Sequence, residues 1–175
     1  MTAVEQRLAA GIRDIPDFPR TGVAFKDITP LLGDPSLLRE TVEGLAHPHR
    51  GAGITKVLGV EARGFILASP VALVLQAGFV PVRKVGKLPW NVEQAEYALE
   101  YGTDVLEIHR DAVAPGERIL VVDDVLATGG TAAATVRLAV ALGAEVVGLS
   151  FLIELTFLGG RSALAGHPVS SLLSY

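Results

Sequence analysis

One segment concentrates the side chains that could do chemistry: Val121-Val122-Asp123-Asp124-Val125-Leu126-Ala127-Thr128-Gly129-Gly130-Thr131. An apolar strand runs into two adjacent carboxylates, and a Thr-Gly-Gly-Thr turn then opens a helix. Consecutive backbone N–H groups at a helix start, glycines that admit close approach, and the hydroxyls of Thr128 and Thr131 make a cradle for a phosphate, assisted by the helix dipole. Asp123 and Asp124 can accept hydrogen bonds from two sugar hydroxyls, and their field favours positive charge growing on that sugar. A bare pair of acids before Thr-Gly-Gly serves equally well as a turn cap and a helix-packing surface. The whole string is far more specific and suits a phosphorylated sugar.

Two further segments carry fixed positive charge. Glu61-Ala62-Arg63-Gly64-Phe65 places a guanidinium after an apolar strand and at the start of a helix. Arg83-Lys84-Val85-Gly86-Lys87-Leu88-Pro89 holds two of the four lysines of the chain. A solvated basic loop is the ordinary reading of the latter, but a polyanionic substrate needs local cations in a protein of net charge −4. Gly86, Pro89 and Gly102 punctuate a polar stretch that continues through Glu100-Tyr101-Gly102, so residues 84 to 103 are expected to form a mobile lid that excludes water. Other phosphate motifs fail: Gly51-Ala52-Gly53 is followed by Lys56 where a dinucleotide fingerprint needs glycine, and Gly86-Lys87 is followed by Leu88 rather than Ser or Thr.

These segments need a scaffold that brings strand ends together. Val4, Leu8 and Ile12 are spaced for a first helix, and Asp34-Pro35 is an N-cap followed by proline at the first helical position, opening a helix to about Ala46. Beyond it, strands are expected at Lys56–Val60, Phe79–Arg83, Arg118–Val122 and Glu145–Leu155, with helices at Gly64–Ala77 and Gly130–Leu142. Short β-branched runs alternating with helices predict an α/β fold with a mostly parallel sheet buried on both faces. Ligands of such sheets bind beyond the carboxyl ends of the strands, where all three segments fall.

Composition narrows the partners. With 175 residues, half of them apolar, the chain is read as one domain, and zero Cys removes thiolate chemistry and Cys-ligated zinc. Fifteen basic against nineteen acidic side chains argue against nucleic acid. The uncharged run Gly64 to Val82 approaches membrane-spanning length, but Pro70, Gln76, Gly78 and Pro81 interrupt it, and no membrane partner is expected. The first twenty residues lack the apolar core of a signal peptide, which predicts a cytoplasmic protein. His47, His49, His109 and His167 have no metal-site spacing and are expected at the surface.

The diacid string closely resembles the phosphoribosyl-diphosphate signature of the type I phosphoribosyltransferases. Ile15-Pro16-Asp17-Phe18-Pro19, Gly22-Val23-Ala24-Phe25-Lys26-Asp27-Ile28-Thr29-Pro30, Arg63-Gly64-Phe65, Arg83-Lys84 with Gly86-Lys87-Leu88-Pro89, and Leu99-Glu100-Tyr101-Gly102 accompany it in order. Glu154-Leu155 and Gly160-Arg161 extend the likeness, which runs from about Ile12 to Tyr175 and narrows to the adenine phosphoribosyltransferase family. The resemblance implies a twisted sheet flanked by helices, with a small N-terminal hood over residues 12 to 32 that binds the base. It implies transfer of ribose 5-phosphate from phosphoribosyl diphosphate to N9 of adenine, giving AMP and diphosphate, with Mg2+ carried by the substrate diphosphate rather than by the protein, and a homodimer. By the same resemblance Ala127, Thr128, Gly129, Gly130 and Thr131 hold the 5-phosphate, and Asp123 and Asp124 face the ribose. Glu61, Ala62, Arg63, Arg83, Lys84 and Lys87 serve the diphosphate, Arg83 across a dimer interface. Val23, Ala24, Phe25 and Lys26 line the adenine pocket with Phe25 stacking, and Glu100 is the carboxylate that accepts or relays a purine proton. A non-proline cis peptide would fall at Glu61-Ala62.

The sequence departs from that pattern in places. Ala24 is smaller than the branched residue common there, Lys26 stands where arginine is also frequent, Glu61-Ala62 replaces Asp-Ser, and the acidic stretch Trp90 to Glu96 is unlike the relatives' lid. Two alternatives follow: a phosphoribosyltransferase for hypoxanthine or xanthine, and a non-catalytic regulator of the same fold that binds phosphoribosyl diphosphate. The second usually carries a DNA-binding extension or basic face, which this chain lacks.

Overall fold

The computed structural model describes residues 2–98 and 103–175. Its first helix, α1 (Ala3–Ala10), begins in a reciprocal cap, the Thr2 hydroxyl accepting from Glu5 N–H while the Glu5 carboxylate accepts from Thr2 N–H. Strands β1 (Arg13–Ile15) and β2 (Phe25–Asp27) pair antiparallel as a small separate hood, with Asp14 opposite Lys26. After the short α2 (Thr29–Gly33), α3 (Pro35–Ala46) starts as its sequence predicts, the Asp34 carboxylate accepting from Ser36 and Leu37 N–H.

The body then alternates: β3 (Lys56–Val60), α4 (Arg63–Val74), β4 (Gly78–Lys84), β5 (Val92–Ala98), β6 (Thr103–His109), β7 (Arg118–Leu126), α5 (Gly130–Ala141), β8 (Glu145–Glu154) and β9 (Val169–Ser174). Among the described residues these strands form one sheet in the order β5-β6-β4-β3-β7-β8-β9. β4, β3, β7, β8 and β9 run parallel, and β6 and β5 extend the β4 edge antiparallel. Because side chains alternate across a strand, Val57, Leu120, Val122 and Leu152 pack with Leu8, Leu45, Leu67 and Val71 on the face covered by α1, α3 and α4. Leu58, Val121, Leu149 and Phe151 pack with Ala134 and Leu138 of α5 on the other. Both faces are therefore dry, as the apolar runs predict.

Four expectations need correction. The helix expected to reach Ala77 ends at Val74, where the chain turns back and Ala77 N–H donates to Ala72 C=O (2.9 Å). The strand expected to stop at Val122 continues to Leu126, because β8 pairs with it throughout, Asp123 opposite Phe151 and Val125 opposite Ile153; the two acids thus stand on the sheet rather than in a loop after it. The polar stretch after Trp90 is largely strand: Ala95 and Tyr97 face the α5 core while Gln94 and Glu96 face out. His49 is buried rather than superficial, wedged against Gly148, where a Cβ would lie 2.9 Å from its ring. The Glu61-Ala62 peptide is cis, as is Phe18-Pro19. No helix is long and apolar enough to cross a membrane among the described residues.

Candidate active site

A cavity of ≈ 500 Å³ opens at the carboxyl ends of β3, β4 and β7, under the hood. Its wall includes Val23, Ala24, Phe25 and Lys26, then Glu61, Ala62 and Arg63, then Lys84, Asp123 and Asp124, and the turn Ala127 to Thr131. Segments separated by a hundred residues therefore meet around one volume. Arg83 and Lys87 stand outside that wall, and Glu100 lies outside the described residues.

The turn is built so that only glycine fits at its corner. Gly129 has φ +83°, and a Cβ there would lie 2.4 Å from Gly160 C=O. That residue caps α5, and its carbonyl accepts the first helical bond from Ala133 N–H at 2.8 Å. Ala127 to Thr131 line the cavity, and the first N–H groups of a helix have no intrahelical acceptor, so this turn is suited to an anion.

The two acids differ. Asp124 is buried and ion-paired with Arg63 at the start of α4. Asp123 accepts from Asp124 N–H (2.9 Å), and Gly64 lets it fit, since a Cβ there would approach Asp123 Oδ1 to 2.6 Å. Burial, and then the neighbouring Asp124 charge, hold the Asp123 carboxyl well above the usual carboxylate range.

The cations are each held by an acid. Lys84 Nζ lies 3.0 Å from Asp104 Oδ2, which raises the lysine and lowers the carboxyl, and Tyr97 OH donates to the same oxygen at 3.2 Å. Burial raises the Tyr97 hydroxyl. Glu61 accepts from Arg83 Nη2 (3.1 Å) and Nε (3.3 Å), from Lys87 Nζ (2.8 Å) and from Lys84 N–H (3.3 Å). The Arg83 and Lys87 bonds bring its carboxyl down to about 2. In the hood, Phe25 lies under the Arg63 guanidinium, 5.1 Å to the ring centroid, and packs edge-on against Phe18. Lys26 Nζ lies 2.6 Å from Asp14 Oδ1 and 3.6 Å from the Tyr175 ring centroid.

Tyr97, Leu106 and Leu155 also line the cavity and escaped the sequence reading, as did Asp104, the partner of Lys84. Tyr97 and Asp104 face each other only through the β5–β6 register, which no local spacing announces. No group of three or more His, Asp or Glu that could hold a metal ion occurs among the described residues. Of the two carboxylates in the cavity wall, Asp124 is already ion-paired with Arg63.

Residues 39–161 match the phosphoribosyl transferase domain family. The adenine phosphoribosyltransferase of Myxococcus xanthus (strain DK1622) is 54% identical over 174 residues, covering 99% of this chain and 95% of its own. Among solved structures, the adenine phosphoribosyltransferase of Rhodothermus marinus DSM 4252 superposes with a TM-score of 0.94 at 55% identity, covering 98% of both chains. That of Saccharomyces cerevisiae, complexed with D-2,5-dideoxy-2,5-imino-altritol 1,6-bisphosphate and adenine, superposes with a TM-score of 0.93 at 38% identity, covering 98% of this chain and 99% of its own.

Proposed function

Because the chain belongs to the adenine phosphoribosyltransferase family, we propose that this cavity is its active site and that the residues around it divide the substrates as follows. The reaction itself is transfer of ribose 5-phosphate from phosphoribosyl diphosphate to adenine, giving AMP and diphosphate in purine salvage. The observation that carries the assignment is the convergence of the hood, the Arg63 loop, the acid pair and the Thr-Gly-Gly-Thr turn on one volume.

Ala127 to Thr131 bind the 5-phosphate through backbone N–H groups and the two threonine hydroxyls. Asp123 and Asp124 hold the ribose hydroxyls beneath the ring. As the bond from C1 to the diphosphate oxygen lengthens, positive charge grows on the ribose and negative charge on the leaving group. The acids stabilise the first, and Arg63, Lys84, Lys87 and Arg83 the second. Ala62 and the backbone of Glu61 complete the diphosphate loop. Val23, Ala24, Phe25 and Lys26 orient adenine so that N9 attacks C1 from the face opposite the diphosphate, and this positioning supplies much of the rate. Glu100 takes or relays the purine imidazole proton.

Mg2+ would enter with the substrate diphosphate and would supply charge neutralisation at the leaving group. Asp123 and Asp124 would serve it indirectly, by holding the ribose hydroxyls. A homodimer is supported by α4, which exposes Ile66 and Leu73 (46% and 77%) on the flank of the sheet that also carries Arg83. A cytoplasmic location is supported by the phosphorylated substrate, which does not cross membranes unaided.

Incubation with adenine, phosphoribosyl diphosphate and Mg2+ is expected to yield AMP and diphosphate. Hypoxanthine or xanthine turnover exceeding that of adenine would overturn the choice of base, and binding of phosphoribosyl diphosphate without turnover would favour the regulator.

A further inference from the structure

A carboxylate beside a diphosphate is misplaced by charge alone, yet Glu61 puts one at the end of β3 with only 13% of its side chain exposed. Resting on the assignment of Arg83 and Lys87 to the diphosphate, we propose that Glu61 is a positioning residue that serves as a resident counter-anion. It holds the Lys87 ammonium beside the site, yields it to diphosphate when substrate binds, and recaptures it as the product leaves.

The geometry separates a fixed cation from an exchangeable one. Arg83 meets Glu61 through Nε and Nη2 and also donates from Nη1 to Lys87 C=O at 3.1 Å, so three bonds hold its planar group. Lys87 offers a single ammonium 2.8 Å from Glu61 Oε1, on a flexible stem that is half exposed. When Lys87 leaves, Arg83 and Lys84 N–H remain on the Glu61 carboxylate, so no unpaired charge is stranded in a largely buried position. The turn that carries Lys87 is anchored independently: Gly86 N–H donates to the buried Glu107 carboxylate at 3.1 Å, and Gln94 Nε2 donates to that carboxylate's other oxygen at 2.8 Å. Only the lysine side chain has to move. Two anions, one tethered and one diffusing, thus compete for one ammonium, and the tethered one speeds release by offering the cation a partner as diphosphate departs.

The test compares the wild-type chain with Glu61→Gln by calorimetric titration of inorganic diphosphate in the presence of Mg2+, alongside steady-state kinetics. The amide keeps an oxygen for Arg83 and removes the charge. The variant is expected to bind diphosphate roughly ten-fold more tightly, with a lower kcat and a lower KM for phosphoribosyl diphosphate as release slows. Diphosphate affinity that is unchanged or weaker overturns the proposal. Lys87→Met, at an exposed position, tests the exchange: in the Lys87→Met background the gain from Glu61→Gln should vanish, and persistence of the full gain would exclude Lys87 as the exchanged group. Should Glu61→Gln not fold, Glu61→Asp, which draws the carboxylate back by one methylene, must still tighten diphosphate binding. Failure of the wild-type chain to bind diphosphate at all would instead overturn the assignment of this site.

Discussion

Arg63 at the start of α4 is ion-paired with Asp124 on β7, so the loop assigned to the diphosphate is tied to the acid assigned to the ribose. The contact spans neighbouring strands: β3, which leads into the Arg63 loop, pairs in parallel with β7, Gly59 opposite Val122. Gly64 permits the close approach, having no Cβ to collide with Asp123. The proposed site therefore holds a guanidinium and two carboxylates in contact before any substrate binds. Such arrangement before binding is what electrostatic stabilisation of a charge-separated transition state requires.

Replacing Asp123 and Asp124 together with Asn tests that arrangement. The substitution keeps the shapes of both side chains and removes the carboxyl that Arg63 neutralises as well as the one that burial raises. Circular dichroism is expected to report an intact fold and the adenine assay a loss of at least about 10²-fold in kcat. Wild-type-like turnover would contradict the ribose role.

Gly129→Ala is expected to damage both stability and phosphate binding. The new methyl would meet Gly160 C=O at 2.4 Å in a residue whose φ is +83°. Strain of this kind costs about 1–3 kcal/mol, readable as a lowered midpoint in denaturant. The KM for phosphoribosyl diphosphate should rise more than that for adenine, because the displaced N–H groups are those assigned to the 5-phosphate.

What the sequence displayed and what it concealed divide along physical lines. The central strands β3, β7 and β8 were legible because burial on both faces leaves continuous apolar runs such as Val57–Val60, and α3 because Asp34-Pro35 is a local start signal. The turn at Gly129 was legible because its geometry tolerates no other residue. Strands β5, β6 and β9 were not, since β5 turns Ala95 and Tyr97 inward between the exposed Gln94 and Glu96, and a two-residue apolar alternation is too short to stand out. The Tyr97, Asp104 and Lys84 cluster depends on cross-strand register, and the Glu61 contacts on a turn 26 residues away in sequence. Neither leaves a trace in local spacing.

Acid stability should report the Glu61 contacts. With its carboxyl at about 2 in the folded chain against an ordinary 4.5, Glu61 contributes stability that is fully present above pH 4.5 and is lost as pH falls toward 2. Urea unfolding of wild type and Glu61→Gln across that window should therefore show the difference between them shrinking as the solution is acidified. A constant difference would mean that the charge of Glu61 does not stabilise the fold.

Phe25 should control adenine more than the sugar. Its ring lies in the cavity wall, packed edge-on with Phe18 and under the Arg63 guanidinium, so its orientation is held before a base arrives. Aromatic stacking on a base is worth about 1–3 kcal/mol, so Phe25→Ala is expected to raise the KM for adenine about ten-fold. Equal rises for both substrates would make Phe25 a support for Arg63 instead.

Glu100→Gln separates proton handling from binding. Adenine must lose a proton from its imidazole ring as N9 bonds to C1, and a positioned carboxylate contributes about 10² to 10⁴-fold in rate when it accepts that proton. The amide cannot accept it, though it can still form hydrogen bonds. The expected outcome is a fall in kcat of that order with nearly unchanged affinity for phosphoribosyl diphosphate, measured by calorimetry on the same variant. The acidic limb of the kcat–pH profile, which reports the base in its ionised form, should also disappear. A loss confined to substrate affinity would make Glu100 a binding residue and leave the proton to solvent.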